Sequence, residues 1–341
     1  MSSTTVLTGN NIASLYQDGL WHMHLNGYQQ DSRAGKVRRA PAPVVSDLTN
    51  PTRRVFWCPH RKPNPFFHLA EAIWMLAGRN DAAYLQQFAP TFNQFADDGT
   101  TLGGAYGHRW RSHFGHDQIR WAIDHLRNEP TSRRCVITMF DPRKEHADME
   151  LRLPKDVPCN TQIYFSSRTD AKDDLTLILD MTVMARSNDM VWGAYGSNVV
   201  HFSMLHELVA RSVGFELGTM RTFSNDFHMY ERHFHLMDHR IVDNPYESMI
   251  IRDTPAPYSE PLLTDGHDRR SGYVLEQMMK ATRGESVSLP FLSDTYGPMI
   301  GAWKARKNKE WSTEWLKEVR GKDWRYAGAL YLGIPLGEVG L

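Results

Sequence analysis

Cysteine is scarce in this sequence of 341 residues: Cys58, Cys135 and Cys159 are the only three, and no pair has the C-x-x-C spacing. That excludes a disulfide framework and a zinc ribbon. It predicts a reducing, cytoplasmic setting. Excess charge of either sign is missing as well, because 39 Lys and Arg balance 39 Asp and Glu. No global field can hold nucleic acid or an anionic membrane, so any anion site must be local. There is no run of about 18 apolar residues to span a bilayer. Residues 1–17 carry no basic stretch followed by an apolar one, so no secretion signal is expected. Internal repeats, a Walker loop, H-E-x-x-H and G-x-S-x-G are all lacking, which leaves metalloproteolysis and α/β-hydrolase chemistry without their usual marks.

What is present is a globular composition, with 41% hydrophobic and 23% charged residues, too apolar for a disordered chain. Residues 31–65 interleave Arg33, Lys36, Arg38, Arg39, Arg53, Arg54, Arg61 and Lys62 with prolines. They read as loops and short extended pieces that suit a phosphate. Residues 66–77 place Leu69, Ile73 and Leu76 on one helical face, with Glu71 inside the segment. Residues 135–140, 161–167 and 175–185 are rich in β-branched and aliphatic side chains and are predicted strands. Residues 199–213 are apolar nearly all round and predict a central, buried helix ending at Gly214. Beyond residue 245, Pro-punctuated loops lead to a tail with Trp303, Trp311, Trp315 and Trp324 among Lys and Arg, to which no element is assigned.

Several residues could do chemistry. Cys159 stands in a turn immediately before a predicted strand. Most such cysteines are small buried apolar residues; a nucleophile also needs a guanidinium close by to lower the thiol pKa. Arg133 and Arg134 precede the first predicted strand, and their forked donors suit a phosphate when they are not simply solvated. Arg186, Ser187, Asn188 and Asp189 end the longest predicted strand and lead into a glycine-bearing stretch that holds Ser197 and Asn198. Polar side chains at a strand end, followed by glycines, commonly build a pocket. His228 and Tyr230 lie two apart and share a face only in an extended segment.

The order of these pieces resembles the thymidylate synthase family, which includes pyrimidine nucleotide hydroxymethylases. The likeness is carried by Glu71, the run LGGAYGHRW at 102–110, Ser132 with Arg133 and Arg134, Pro158 with Cys159, the run RSND at 186–189, Asn198 and the run DFHMY at 226–230. It extends from residue 20 to residue 240. It implies an α/β (α+β) fold of one domain spanning residues 1–341, with a large bent mixed sheet at a homodimer interface, helices around it, and a divergent region at 245–341. Cys159 resembles the nucleophile that adds to C6 of a pyrimidine. Arg33 and Arg186 resemble the phosphate arginines of the same subunit, and Arg133 and Arg134 the pair that reaches the partner's nucleotide. Asn198 matches the amide that reads the base, and His228 with Tyr230 match the pair on the sugar 3′-hydroxyl. Asp189 resembles the folate-binding carboxylate, Glu71 the acid that organises water for proton transfer, and Tyr106 the aromatic near the C5 proton. The implied donor is 5,10-methylenetetrahydrofolate and the implied substrate a pyrimidine nucleoside monophosphate. No metal, membrane or nucleic-acid partner is expected.

Where the sequence departs from the family pattern, it favours one product. Asn160 follows the nucleophile where the synthases usually carry histidine, and Phe92 and Phe95 stand where tryptophans usually stack on the intermediate and folate. Smaller rings leave room for water, which predicts 5-hydroxymethylation over reductive methylation to thymidylate, the alternative. An inactive nucleotide- or RNA-binding relative is a third reading, resting on the basic loop and the Trp-rich tail. One extra residue before Asn198 puts Ser197, like Ser187, beside the base or sugar. Uracil and cytosine both stay open, because an amide can flip to match either. Ribose and deoxyribose stay open too.

Overall fold

The computed structural model describes residues 3–146, 154–238, 261–263 and 271–341. The chain opens with β1 (Thr5–Gly9), α1 (Ile12–Asn26), β2 (Tyr28–Ser32), β3 (Gly35–Arg39) and β4 (Val44–Leu48), so the basic loops include short strands. Then come α2 (Pro65–Leu76), α3 (Ala82–Leu85), a 3₁₀ turn at Phe92–Phe95, α4 (Tyr106–Arg111), α5 (Gln118–Asn128), β5 (Val136–Thr138) and α6 (Pro142–Glu145). The centre of the fold is β6 (Asn160–Asp170), β7 (Asp173–Ala185), β8 (Asn188–Asp189), α7 (Asn198–Val213), β9 (Glu216–Ser224) and β10 (Phe227–Tyr230). Helices α8 (Ser271–Arg283), α9 (Gly297–Asn308), α10 (Ser312–Glu318) and α11 (Lys322–Leu332) complete it.

Six strands form a mixed sheet in the order β1-β4-β9-β7-β6-β5. β7 and β9 are parallel and α7 connects them, while β6 is antiparallel to β7. Register shifts at Asn160/Gln162, Thr169/Asp170 and Leu179/Met181 interrupt the ladders, and such irregularities bend a sheet. A second sheet, β2-β3-β10-β8, carries Asp189 and His228 as paired residues of neighbouring strands. β5 is shorter than the predicted 135–140, because Asp141 turns to cap α6 and accepts from the Arg143 N–H at 3.1 Å.

Helix α2 begins where Asn64 caps it, accepting from the Phe67 N–H at 3.1 Å, with Pro65 at its first position. The periodicity predicts one buried face; instead all twelve residues are buried. α4, α7, α8, α9 and α11 pack against it, so no side of α2 meets solvent. The Trp-rich tail therefore finds its place here. Trp303 lies 5.5 Å from Phe66 and 5.9 Å from Phe88 by ring centroids, and Trp324 is 2% exposed. These two rings serve packing and are not a nucleic-acid surface, although Trp311 is exposed. The Pro-punctuated stretch after residue 245 lies outside the described residues up to residue 260.

A buried ion pair fastens the N-terminal loops to α7. Arg54 Nη2 meets Glu207 Oε2 with both side chains out of solvent, and Glu207 Oε1 accepts from the Leu262 N–H at 2.7 Å. Removing the cation strands a buried carboxylate, so Arg54→Met is expected to cost about 3–5 kcal/mol in denaturant unfolding.

Helix α7 runs as predicted and ends at Gly214 in the left-handed conformation, φ 85°. Within it His206 Nε2 stands 2.8 Å from the Leu179 carbonyl oxygen, and burial lowers the pKa of this imidazole from 6.5 to about 4. The unfolded chain takes up a proton that the folded one refuses. Stability is therefore full above the unfolded value and is lost as pH falls toward the folded one. Between about pH 7 and about pH 5 this group alone is expected to remove about 2 kcal/mol. Denaturant titrations at the two pH values check it, and His206→Gln should flatten the slope.

Candidate active site

Cys159 is the last residue before β6, beside the register shift at Asn160/Gln162. It lines a cavity of about 190 Å³ together with Glu71, Tyr106, Asp156, Ser197, Asn198 and His201. Arg186, at the end of β7, brings its Nη2 to 3.8 Å from the Cys159 sulfur. The same guanidinium donates to the carbonyls of Pro158 and Val157 at 3.0 Å each, which fixes it over the turn. Sequence reasoning expects the arginine to favour the thiolate, and it does pull that way. Burial outweighs it, however, and together with Asp156 and Asp189 keeps the thiol above its ordinary value, against the pull of Arg186 and Arg33. Arg33 sits exposed in the turn between β2 and β3.

Asn160 is fully buried, and its Nδ2 donates to the Tyr106 hydroxyl at 2.9 Å, leaving Oδ1 without a partner among the described residues. Burial raises the Tyr106 pKa, and the nearby Cys159 raises it further. Glu71, 6% exposed in the middle of α2, has its Oε2 3.0 Å from His201 Nε2, close but not aligned as a hydrogen bond. Asn198 Nδ2 donates to Asn188 Oδ1 at 3.4 Å, and Asn188 Nδ2 donates to Ser224 at 3.1 Å. Wide, π-type turns over Met190–Ser197 lead into Asn198 at the start of α7. Gly196 allows a close approach there: a Cβ would fall 2.7 Å from Arg61 Nη2, which donates to the Val191 carbonyl.

A second, larger cavity of about 1120 Å³ adjoins the first, and Glu71, Phe92, Phe95 and Ser197 line both. Its walls include Arg33, Phe67, Phe88, Asp189, Trp192 and Tyr230. Phe92 and Phe95 stand edge to face, 5.5 Å apart. The Asp189 carboxylate accepts from the N–H groups of Val191 and Trp192 at 3.1 and 3.3 Å, and burial raises its pKa. His228 is held by Asp226 at 3.1 Å, and its ring stands 5.2 Å from that of Tyr230 on the same strand.

Cys159, Glu71, Tyr106, Ser197 and Asn198 thus line one cavity, and Asp189, Phe92, Phe95, Arg33 and Tyr230 line the next. Arg186 and Asn160 reach the first only through Cys159 and Tyr106, and His228 lines neither. Ser187 is half-buried and lines neither. Arg133 and Arg134 are exposed ahead of β5 and also line neither, so within one chain they do not reach the sulfur. Sequence reasoning passes over Asp156, Trp74 and His201. His201 had a signal: it follows Asn198 by three residues on one helix, a spacing that shares a face.

The thymidylate synthase family model matches residues 16–258. The chain belongs to the thymidylate synthase family. A deoxyuridylate hydroxymethyltransferase from Pseudomonas phage M6 is 37% identical over 342 aligned positions, covering 96% of this chain and 93% of the relative. A deoxyuridylate hydroxymethyltransferase from Bacillus phage SP01 is 30% identical, over 76% of this chain and 64% of that protein. The fold of this thymidylate synthase family member is similar to the crystal structure of thymidylate synthase from T4 phage, with a TM-score of 0.55 at 22% identity, over 79% of this chain and 91% of that one. Among the described residues no helix is long and apolar enough to cross a membrane.

Proposed function

We propose that the chain hydroxymethylates C5 of deoxyuridine 5′-monophosphate, with 5,10-methylenetetrahydrofolate as the one-carbon donor. The observation that carries this reading is the Cys159 sulfur held 3.8 Å from a fixed guanidinium in a cavity shared with Glu71 and Asn198. The names of the phage relatives support uracil as the base and hydroxymethyl as the outcome.

Pyrimidine C5 is a poor nucleophile until a thiolate adds at C6 and turns the base into an enolate. In our reading Cys159 makes that addition and Arg186 opposes the cost of ionising a buried thiol. Arg186 and Arg33 hold the phosphate from this chain, while Arg133 and Arg134, which line neither of its cavities, hold it from the partner in a homodimer. Asn198 reads the base edge, with Ser197 and Ser187 near the base and sugar, and His228 with Tyr230 hold the 3′-hydroxyl. Glu71 and Tyr106 manage the proton at C5, and Asn160 fixes the Tyr106 hydroxyl in place.

The larger cavity suits a folate: aromatic walls at Phe92, Phe95 and Trp192 for flat rings, and the Asp189 carboxylate for ring N–H donors. When bound, the folate supplies a one-carbon unit at the oxidation level of formaldehyde. The residues common to both cavities, Glu71, Phe92, Phe95 and Ser197, stand where base and donor must meet.

The test is to incubate the protein with deoxyuridylate and methylenetetrahydrofolate and to weigh the nucleotide product. The reading expects a gain equal to formaldehyde and recovery of tetrahydrofolate. A gain equal to a methylene group, with dihydrofolate formed, would make the protein a true thymidylate synthase. Consumption of deoxycytidylate in preference would overturn the choice of base.

A further inference from the structure

We propose that His201 is the base that takes a proton from the water completing the hydroxymethyl group, a role that rests on the hydroxymethylation reading above. His201 is 1% exposed and lines the Cys159 cavity. Neither ring nitrogen has an aligned hydrogen-bond partner among the described residues. The same holds for Glu71 Oε2, 3.0 Å from His201 Nε2, and for Trp74 Nε1, which belongs to another residue lining that cavity. Buried polar groups are almost always paired. Three residues that line one reaction cavity thus carry buried polar atoms without an aligned partner, which suits them to engage a small polar reactant, and water is the one the hydroxymethyl outcome requires.

Glu71 is assigned to the C5 proton, and three other groups nearby do not serve as this base. Asn160 is an amide, and its Nδ2 is committed to Tyr106. Burial holds the Tyr106 phenol well above its ordinary pKa. Asp156 Oδ2 is engaged by the Gly104 N–H at 2.8 Å. An imidazole is a common general base, and Glu71 Oε2 stands 3.0 Å from His201 Nε2. The position is also telling. His201 brings an imidazole into the Cys159 cavity from α7.

The step balances without any redox reagent. After the donor's amine has left, the pyrimidine carries an exocyclic methylene at C5 and Cys159 at C6. The water oxygen bonds to the methylene carbon as His201 takes a proton from that water, and the methylene π pair moves into the C4 enolate. The enolate pair then forms the C5–C6 double bond while the C6–S bond breaks. Cys159 leaves as thiolate, and the proton on His201 passes to it or to solvent. Reductive methylation would need hydride at that carbon and no such base.

Deoxyuridylate tritiated at C5 separates this role from a structural one, using His201→Asn and His201→Gln with enzyme in excess for a single turnover. Tritium release reports every step through loss of the C5 proton, and the hydroxymethyl nucleotide reports the water step. We expect tritium release within about threefold of the unsubstituted protein and hydroxymethyl product slowed about 100-fold. Added 2-mercaptoethanol should divert the stalled methylene to a thioether. Tritium release shows that the variants fold and bind. If both signals persist together, or fall together in both variants, the role is wrong. If the unsubstituted protein makes thymidylate, the hydroxymethylation reading itself fails, which is a distinguishable result.

Discussion

Cys159→Ala is expected to lower turnover by about 10⁴-fold or more while changing deoxyuridylate affinity by less than about tenfold. The asymmetry follows from what the sulfur does. Phosphate, sugar and base are held by other side chains, but nothing else among the described residues can be a thiolate at this cavity, because Cys58 and Cys135 are buried elsewhere in the core. Alanine leaves a small gap beside β6 and no unpaired charge, so the fold should persist. Single-turnover kinetics and equilibrium nucleotide binding measure the two quantities. Turnover within tenfold of the parent would mean that the cysteine is packing, and that the chain either works by other chemistry or only binds nucleotides.

Glu71→Gln is expected to slow the reaction by about 10²–10⁴-fold. The substitution keeps volume and hydrogen-bonding capacity in a helix buried on every side, so it tests proton transfer and not packing. It should act early. Tritium at C5 of deoxyuridylate would be retained, whereas nucleotide binding would persist. His201→Asn acts after tritium has left, so the two variants should interrupt the same reaction on opposite sides of one step. Equal tritium release from Glu71→Gln and the parent protein would remove Glu71 from the C5 proton.

The sequence shows most of the site, and for reasons that can be named. Helix α7 was legible because its apolar run is long and Gly214 supplies a left-handed stop. The strands around Cys159 were legible from their β-branched runs, and the nearness of Arg186, Asp189, Asn198 and Tyr230 to the cavities from motif order along the chain. Other features depend on contacts distant in sequence. The full burial of α2 is set by helices from the tail, including Trp303 against Phe66, which no local period reveals. The raised thiol pKa of Cys159 sums burial with Asp156 and Asp189 against Arg186 and Arg33, a balance that exists only in the folded chain. The wide turns over Met190–Ser197 were not legible, because nothing local distinguishes a π-type turn from a loop. His201 carried one local signal, its place three residues after Asn198, but its approach to Glu71 exists only in the folded chain.

The central claim is a covalent bond between Cys159 and C6 of the base. A nucleotide bearing fluorine at C5 tests it directly, because C5 fluorine cannot leave as a proton does and the adduct stalls. After incubation with 5-fluorodeoxyuridylate and methylenetetrahydrofolate, digestion and mass spectrometry should find the nucleotide attached to the peptide that contains Cys159. The account is contradicted if the label appears on Cys58 or Cys135, or if the protein binds the nucleotide fully and no peptide gains mass.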